Sequence, residues 1–456
     1  MKWVDWAKIL AFVLLFFLAL MPFKEYIFSE EEIELTDYEI DSVSVEEVRR
    51  MVDKDTNFVT SSRISHAPDV NVKYLEYLLK RFVRKARVAG ASVAVMKNGR
   101  LVYQKGFGYA NKEKKEKMEP YHMLRVASIS KLLTATAIMM LVEQKKLKLT
   151  DKVFGPQGIL RWGVYKARPR DRRMYKITVA HLLQHTAGWD NADHKNGDFM
   201  FDLRKISWNT SDALPLHKSS IVEYAFKQKL YASPGKDYSY SNFGYFLLGE
   251  IIALKGGTSY ENFIRQKILI PSGIDKEFHL AKTQIIKKHP LEVKYYDYRG
   301  ADYTSSVLGL DHWQPRPYAS FDLDLVGAAG AWAATTSGLL KFLRRIDPND
   351  QCPDLLSAES LAEMTTVNSS LKKFAYGWSS TNAEAWWRTG TLSGTSALMV
   401  RKKNGISYIV LLNTGSDRGY KFAKDVQQLM EKALYSVKYW GTIDLFEPQY
   451  LVKKSI

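Results

Sequence analysis

In the stretch RVASISKLLTATAIMMLVEQ, residues 125–144, Ser128 and Lys131 stand three residues apart where an apolar run begins. A serine hydroxyl is a poor nucleophile at neutral pH and a lysine is normally protonated, so the pair does chemistry only where burial and neighbours change both facts. At the start of a helix, the hydroxyl meets the positive end of the dipole, and Lys131, about one turn on, projects from the same face. The spacing by itself says little, because Ser233 with Lys236, Ser369 with Lys372 and Ser370 with Lys373 share it; those serines fall in a turn and a lysine-rich loop. The ordinary job of a serine in this place is to cap the helix, which is the competing reading of Ser128.

Two further segments carry suitable groups. Tyr240-Ser241-Asn242 precedes the apolar run FGYFLLGEII, so a phenol and an amide one residue apart are held on a single loop by the helix behind them. Tyr109-Ala110-Asn111 has the same form but lies where an opening hairpin ends. In WWRTGTLSG, Arg388, Thr389, Gly390 and Thr391 end a β-rich run, where a cation, a hydroxyl and an unobstructed backbone can line the opposite wall. An alternative for Arg388 is an ion pair with an acidic neighbour at the strand end. His181 and His185 have the i, i+4 spacing of a helical metal pair, but HLLQH lacks the glutamate of a zinc-protease motif, so no metal is expected. Trp189, Trp332, Trp386 and Trp387 are candidates for an apolar pocket wall, although such tryptophans are more often core.

The elements that must position these groups follow from pattern. Residues 72–88 repeat apolar residues at helical spacing with a basic face. Two β-rich runs flank Asn98-Gly99, a strong hairpin signal. Helices are expected over 130–144, 178–184, 220–228 and 244–254, within a mostly helical and irregular middle from about 127 to 345. Beyond Trp378 three β-rich runs return, the last two joined by Asn404-Gly405, and a helix follows over about 420–435. The expected class is therefore α/β (α+β): an antiparallel sheet with flanking helices built from both chain ends, interrupted by a helical insertion.

The order Ser-x-x-Lys, Tyr-x-Asn, cation-Thr-Gly, with HLLQHTAGW between the first two and GAAGAWAATTSGLLKFL before the third, resembles the serine β-lactamase and penicillin-binding protein superfamily. Within it the likeness is to the class C β-lactamase-related branch, which also holds esterases and D-aminopeptidases, and it spans roughly 72–435. The resemblance implies a serine hydrolase: Ser128 attacks a carbonyl to form an acyl-enzyme, Lys131 takes or relays its proton, and Tyr240 serves the leaving group. It further implies that Asn242 orients Lys131 or the substrate amide, and that the N–H groups of Ser128 and Thr391 meet the oxyanion. The family usually has Lys or His where this chain has Arg388. Arginine keeps the charge and a two-pronged donor, but it cannot titrate. No cofactor is implied; the expected partner is a small-molecule or peptide substrate.

The bulk composition agrees with a globular enzyme. The chain has 456 residues, 46% hydrophobic and 25% charged, long enough for one large domain. Its formal charge of +17 attracts anions, yet the basic run from Arg161 to Lys176 has no nucleic-acid motif beside it, so nucleic acid is not expected. One cysteine, Cys352, excludes a disulfide framework. Lys2 and Lys8 precede the apolar run 9–23, which has the character of an uncleaved signal anchor, with a signal peptide as the alternative, over 1–24. An acidic stalk over 25–70, a catalytic domain over 71–440, membrane-anchored or exported and on the non-cytoplasmic side, and a tail over 441–456 complete the expected organisation. Two other classes remain open at this point: a non-catalytic scaffold on the same fold, and a basic protein that docks on anionic lipid.

Overall fold

The computed structural model describes residues 64–189, 198–301, 303–310, 312–348, 354–367, 375–419, 421–447 and 450. Helix α1 (Lys73–Lys85) turns Leu75, Leu78, Leu79 and Val83 inward at helical spacing, as its sequence requires. Strands β1 (Gly90–Lys97) and β2 (Arg100–Asn111) follow as a hairpin. Its turn residues Asn98 and Gly99 sit at φ +49° and +76°, the left-handed pair that a two-residue turn between twisted strands demands. β3 (Glu116–Lys117) extends that hairpin.

The insertion contributes β4 (Leu124–Arg125), β5 (Phe278–Leu280) and β8 (Trp332–Ala334), which form a small sheet in the order β4-β8-β5, and the pair β6 (Tyr303–Ser305) and β7 (Trp313–Pro315). Its helices α2 (Ser130–Glu143) and α3 (Asn242–Gly256) pack on each other. Both are apolar on every side because both run through the interior. Helix α4 (Thr336–Arg344) closes the insertion against β1 and β12.

The C-terminal part returns β9 (Ser380–Thr381), β10 (Ala385–Leu392), β11 (Thr395–Lys402) and β12 (Ile406–Leu412), then α5 (Lys421–Tyr435). The seven strands run β3-β2-β1-β12-β11-β10-β9, with β1 and β12 antiparallel and Ala91 opposite Leu412. Successive residues of β1 face opposite layers. Val93 and Val95 pack with Leu75, Leu79 and Met430 under α1 and α5, while Ala94 and Met96 join the core of the insertion. At about 1.5–3 kcal/mol per fully buried large aliphatic side chain, these two layers fix the register of β1, and with it the sheet to which β10 belongs.

The antiparallel sheet with flanking helices and an inserted helical region is the class expected from pattern. The transmembrane anchor is not retained. Among the described residues no helix is long and apolar enough to cross a membrane; α2 and α3, of 14 and 15 residues, owe their apolar character to burial inside the domain. The run 9–23 lies outside the described residues, as do residues 25–63 of the expected stalk.

Candidate active site

The nucleophile candidate sits on a forced turn. Ser128 occupies a 3-10 turn, Ala127–Ile129, that leads directly into α2. Ala127 has φ +48°, a left-handed conformation that costs a residue with a Cβ roughly 1–2 kcal/mol. The cap reading of Ser128 does not survive, since neither this turn nor α2 has a side-chain cap bond. The hydroxyl instead lies 2.8 Å from Tyr240 Oη and 3.2 Å from Lys131 Nζ.

Lys131 is fully buried, one turn into α2. Its amine donates to Asn242 Oδ1 at 2.7 Å and to the Ala329 carbonyl at 2.5 Å. Burial, aided by the Arg388 charge and opposed by Tyr240, brings its pKa down to about 8. For the Tyr240 phenol, burial pushes upward, but Arg388 and Lys131 outweigh it and the net shift is downward. The two groups are thus pressed towards exchanging a proton.

Arg388 enters from β10 and is 1% exposed. Its Nε donates to the Ser128 carbonyl at 2.8 Å and one terminal amine to Tyr240 Oη at 2.9 Å; the other lies 3.4 Å from Ser379 Oγ. The guanidinium therefore clamps the nucleophile's backbone to the phenol, a task that needs a planar fork. Gly390 lets β10 approach. A Cβ there would fall 2.3 Å from the Val126 carbonyl oxygen, 3.0 Å from Ala127 Cβ and 3.2 Å from Ser128 N. The Thr389 N–H lies 3.5 Å from Ser379 Oγ, away from β11. Thr391, two residues on, presents its N–H to that same strand edge. Thr389 and Thr391 both line a cavity of about 780 Å³ together with Ser128, Tyr240, Asn242 and Arg388.

All eight residues singled out by spacing therefore meet in one place. The Tyr109 and Ser233 decoys do not line the cavity. Nor do the four tryptophans: Trp189 and Trp332 are core, Trp386 lies against Arg401, and the aromatic wall is Phe201, Tyr238, Tyr298 and Phe321. The histidines do not act as a pair, because the helix that would align them stops at Leu183. His181 caps that helix through Thr178, whereas His185 is buried with its ring 4.3 Å from that of Tyr240 and Nδ1 accepting from Ser241 N. Burial and the two nearby cations hold the His185 pKa far below its usual value, so a neutral ring backs the phenol.

Asp198 escaped the sequence reading. It is 2% exposed. One oxygen accepts from Asn242 N at 2.6 Å and from Asn242 Nδ2 at 2.9 Å, and the other from Met200 N at 2.9 Å. Burial raises its pKa, while the three N–H donors and the Lys131 charge work the other way and favour the carboxylate. Because Asp198 takes the amide's NH2, the amide must turn its oxygen to Lys131. The available signal was an aspartate embedded in NGDFMF, whose neighbours are too apolar for a surface loop.

The sequence matches the Beta-lactamase family over residues 75–429. It is 26% identical over 369 residues to penicillin-binding protein 4* of Bacillus subtilis, covering 77% of this chain and 74% of that one. It is 24% identical over 376 residues to protein flp of Staphylococcus aureus, with coverage of 79% and 67%. Among solved structures, the octameric penicillin-binding protein homologue from Pyrococcus abyssi superposes with a TM-score of 0.59 at 25% identity, over 80% of this chain and 77% of that one. The D-amino acid amidase of Ochrobactrum anthropi SV3 shares the fold at a TM-score of 0.61 and 22% identity, over 79% and 97%. With its family matched across most of its length, the chain belongs to the Beta-lactamase family, in its class C β-lactamase-related branch.

Proposed function

We propose that the protein is a serine hydrolase that forms an acyl-enzyme on Ser128 from an amide or ester. The observation that carries this reading is the contact of Ser128 Oγ with both Tyr240 Oη and Lys131 Nζ, beside an amine whose pKa is brought down to about 8. A neutral lysine has two N–H bonds and one lone pair. Asn242 Oδ1 and the Ala329 carbonyl take the two N–H bonds, which leaves the lone pair for the Ser128 proton.

In the forward step Lys131 accepts that proton as Ser128 Oγ bonds to the substrate carbonyl carbon. The carbonyl π electrons move to oxygen, where the N–H groups of Ser128 and Thr391 meet the charge. The tetrahedral species collapses as Tyr240 gives its proton to the departing nitrogen or oxygen, and Lys131 returns a proton to the phenolate. Arg388, at 2.9 Å, stabilises that phenolate while it exists. Water then adds to the Ser128 ester, losing its proton to the same Tyr240–Lys131 pair, and the acid leaves as Ser128 regains its hydrogen. Amide or ester chemistry is supported by what similar folds are named for, the amidase of O. anthropi and the hydrolase EstCE1. A scaffold role gives no account of a buried lysine held this near neutrality.

The test is intact-protein mass spectrometry after incubation with a panel of β-lactams, thioesters and p-nitrophenyl esters. An acyl adduct on Ser128 that is absent from Ser128→Ala is the expected result. Adducts on neither protein, together with no Ser128-dependent turnover, overturn the reading.

A further inference from the structure

The large cation at the heart of the site is already engaged. Arg388 is 1% exposed, and its donors go to the Ser128 carbonyl, Tyr240 Oη and Ser379. A substrate carboxylate that reached it would have to displace the contacts that hold Ser128 and Tyr240 together. A second arginine on the cavity wall is placed differently. Arg316 is 31% exposed; its Nε lies 3.8 Å from Asp297 Oδ2, and among the described residues that is the guanidinium's one charged or hydrogen-bonding partner. Since Nε faces Asp297, the two terminal amines, the pronged end that matches a carboxylate, are directed elsewhere.

Asp297 offsets part of this charge through the ion pair, but it leaves the terminal amines of Arg316 unfilled. Its side chain is 3% exposed. One oxygen accepts from Tyr298 N at 3.0 Å and lies against Gly415, and the other accepts from Ser393 Oγ. Its oxygens tie the turn after β10 to the loop after β12, and it anchors the Nε side of the Arg316 guanidinium. Asp198 is likewise committed, to Asn242 and Met200. Asp417, exposed at the mouth beside Ser416, is the opposing charge that a test must weigh.

We infer that Arg316 is a specificity-determining residue that selects substrates bearing a carboxylate at the end remote from the scissile carbonyl. This rests on the hydrolase reading above and names its substrate class. Arg316 and Ser393 share Asp297, and Ser393 opens the turn after β10, two residues past Thr391 and so no more than roughly 7 Å from it. The anionic end therefore binds beyond the oxyanion position, in line with the strand edge, and a short aliphatic spacer bridges the two. The overall charge of +17 draws such substrates to the mouth; Arg316 holds them in register.

The experiment uses the full-length protein and p-nitrophenyl esters of three kinds. These are neutral butyrate, anionic half-esters of succinate, glutarate and adipate, and a cationic trimethylammonium-butyrate. The expected result is a higher kcat/KM for one anionic half-ester than for butyrate. In Arg316→Gln that ratio falls roughly ten- to hundred-fold, through KM rather than kcat, and Arg316→Lys restores part of it. The wild-type preference persists in 0.5 M NaCl, where long-range attraction by net charge is screened. A ratio equal in wild type and Arg316→Gln, when thermal melts show both folded, overturns the inference, as does a preference for the cationic ester. Turnover that depends on Ser128 but ignores charge sinks this inference alone. No Ser128-dependent turnover of any ester sinks the hydrolase reading and this inference with it.

Discussion

Replacing Gly390 by alanine asks how close β10 must lie to the nucleophile. The new Cβ would stand 2.3 Å from the Val126 carbonyl oxygen. Non-bonded Cβ contacts below 3.0 Å are essentially never seen, so strand and turn must part by about 0.7 Å. Neither can yield alone: β10 is paired with β11 from Ala385 to Leu392, and the turn is continuous with the buried helix α2. The separation therefore falls on the seam that joins Arg388 to the Ser128 carbonyl at 2.8 Å. A misplacement near 1 Å can lower a rate about 100-fold, whereas overpacking typically costs about 1–3 kcal/mol of stability. We expect kcat on a reactive ester to fall by one to two orders of magnitude while the protein stays folded. Steady-state kinetics beside a thermal melt reads both. Gly390→Ala with more than half the wild-type kcat would refute the claim that this approach distance controls the reaction.

Two further outcomes follow from the charges around Lys131. With its pKa near 8, the fraction of neutral amine at pH 7 is about one in ten, against about one in three thousand at the ordinary value of 10.5; kcat/KM must therefore rise with pH and level off above about 8, and a flat profile or a midpoint near 10 would contradict the assignment of Lys131 as base. Asp198→Asn removes a negative charge that favours the protonated amine, so the midpoint moves down, while the plateau falls roughly tenfold because the Asn242 amide loses the acceptor that fixes its orientation; an unchanged midpoint, read from the same pH profile, would show that Asp198 is merely structural.

What could be read from the sequence was whatever is encoded within a few residues. The turns at Asn98-Gly99 and Asn404-Gly405 carry their own backbone preference, and α1 and α5 show their buried stripes at helical period. The site residues were legible as types at spacings, since Ser128 with Lys131 and Tyr240 with Asn242 each lie within one turn. Their mutual geometry was not. The partners of Arg388, 260 residues from Ser128 and 148 from Tyr240, are fixed by the pairing of the sheet and not by any neighbour in the chain. The strands β4, β5 and β8, of two or three residues, are too short for a period. The i, i+4 spacing of His181 and His185 does not put them on one helical face because the helix ends between them, and the apolar runs of α2 and α3 report burial in protein only once the surrounding layers are seen.

The pairing of β1 with β12 also dictates when the catalytic wall can exist during synthesis. Ala91 finds Leu412 across more than three hundred intervening residues, so the first hairpin must leave the ribosome with one backbone edge unsatisfied and wait while nearly the whole insertion is translated. A ribosome that stops between Tyr240 and Ile406 releases a chain with Ser128, Lys131 and Tyr240 all present and a raw sheet margin on display, the kind of surface that chaperones and proteases seize.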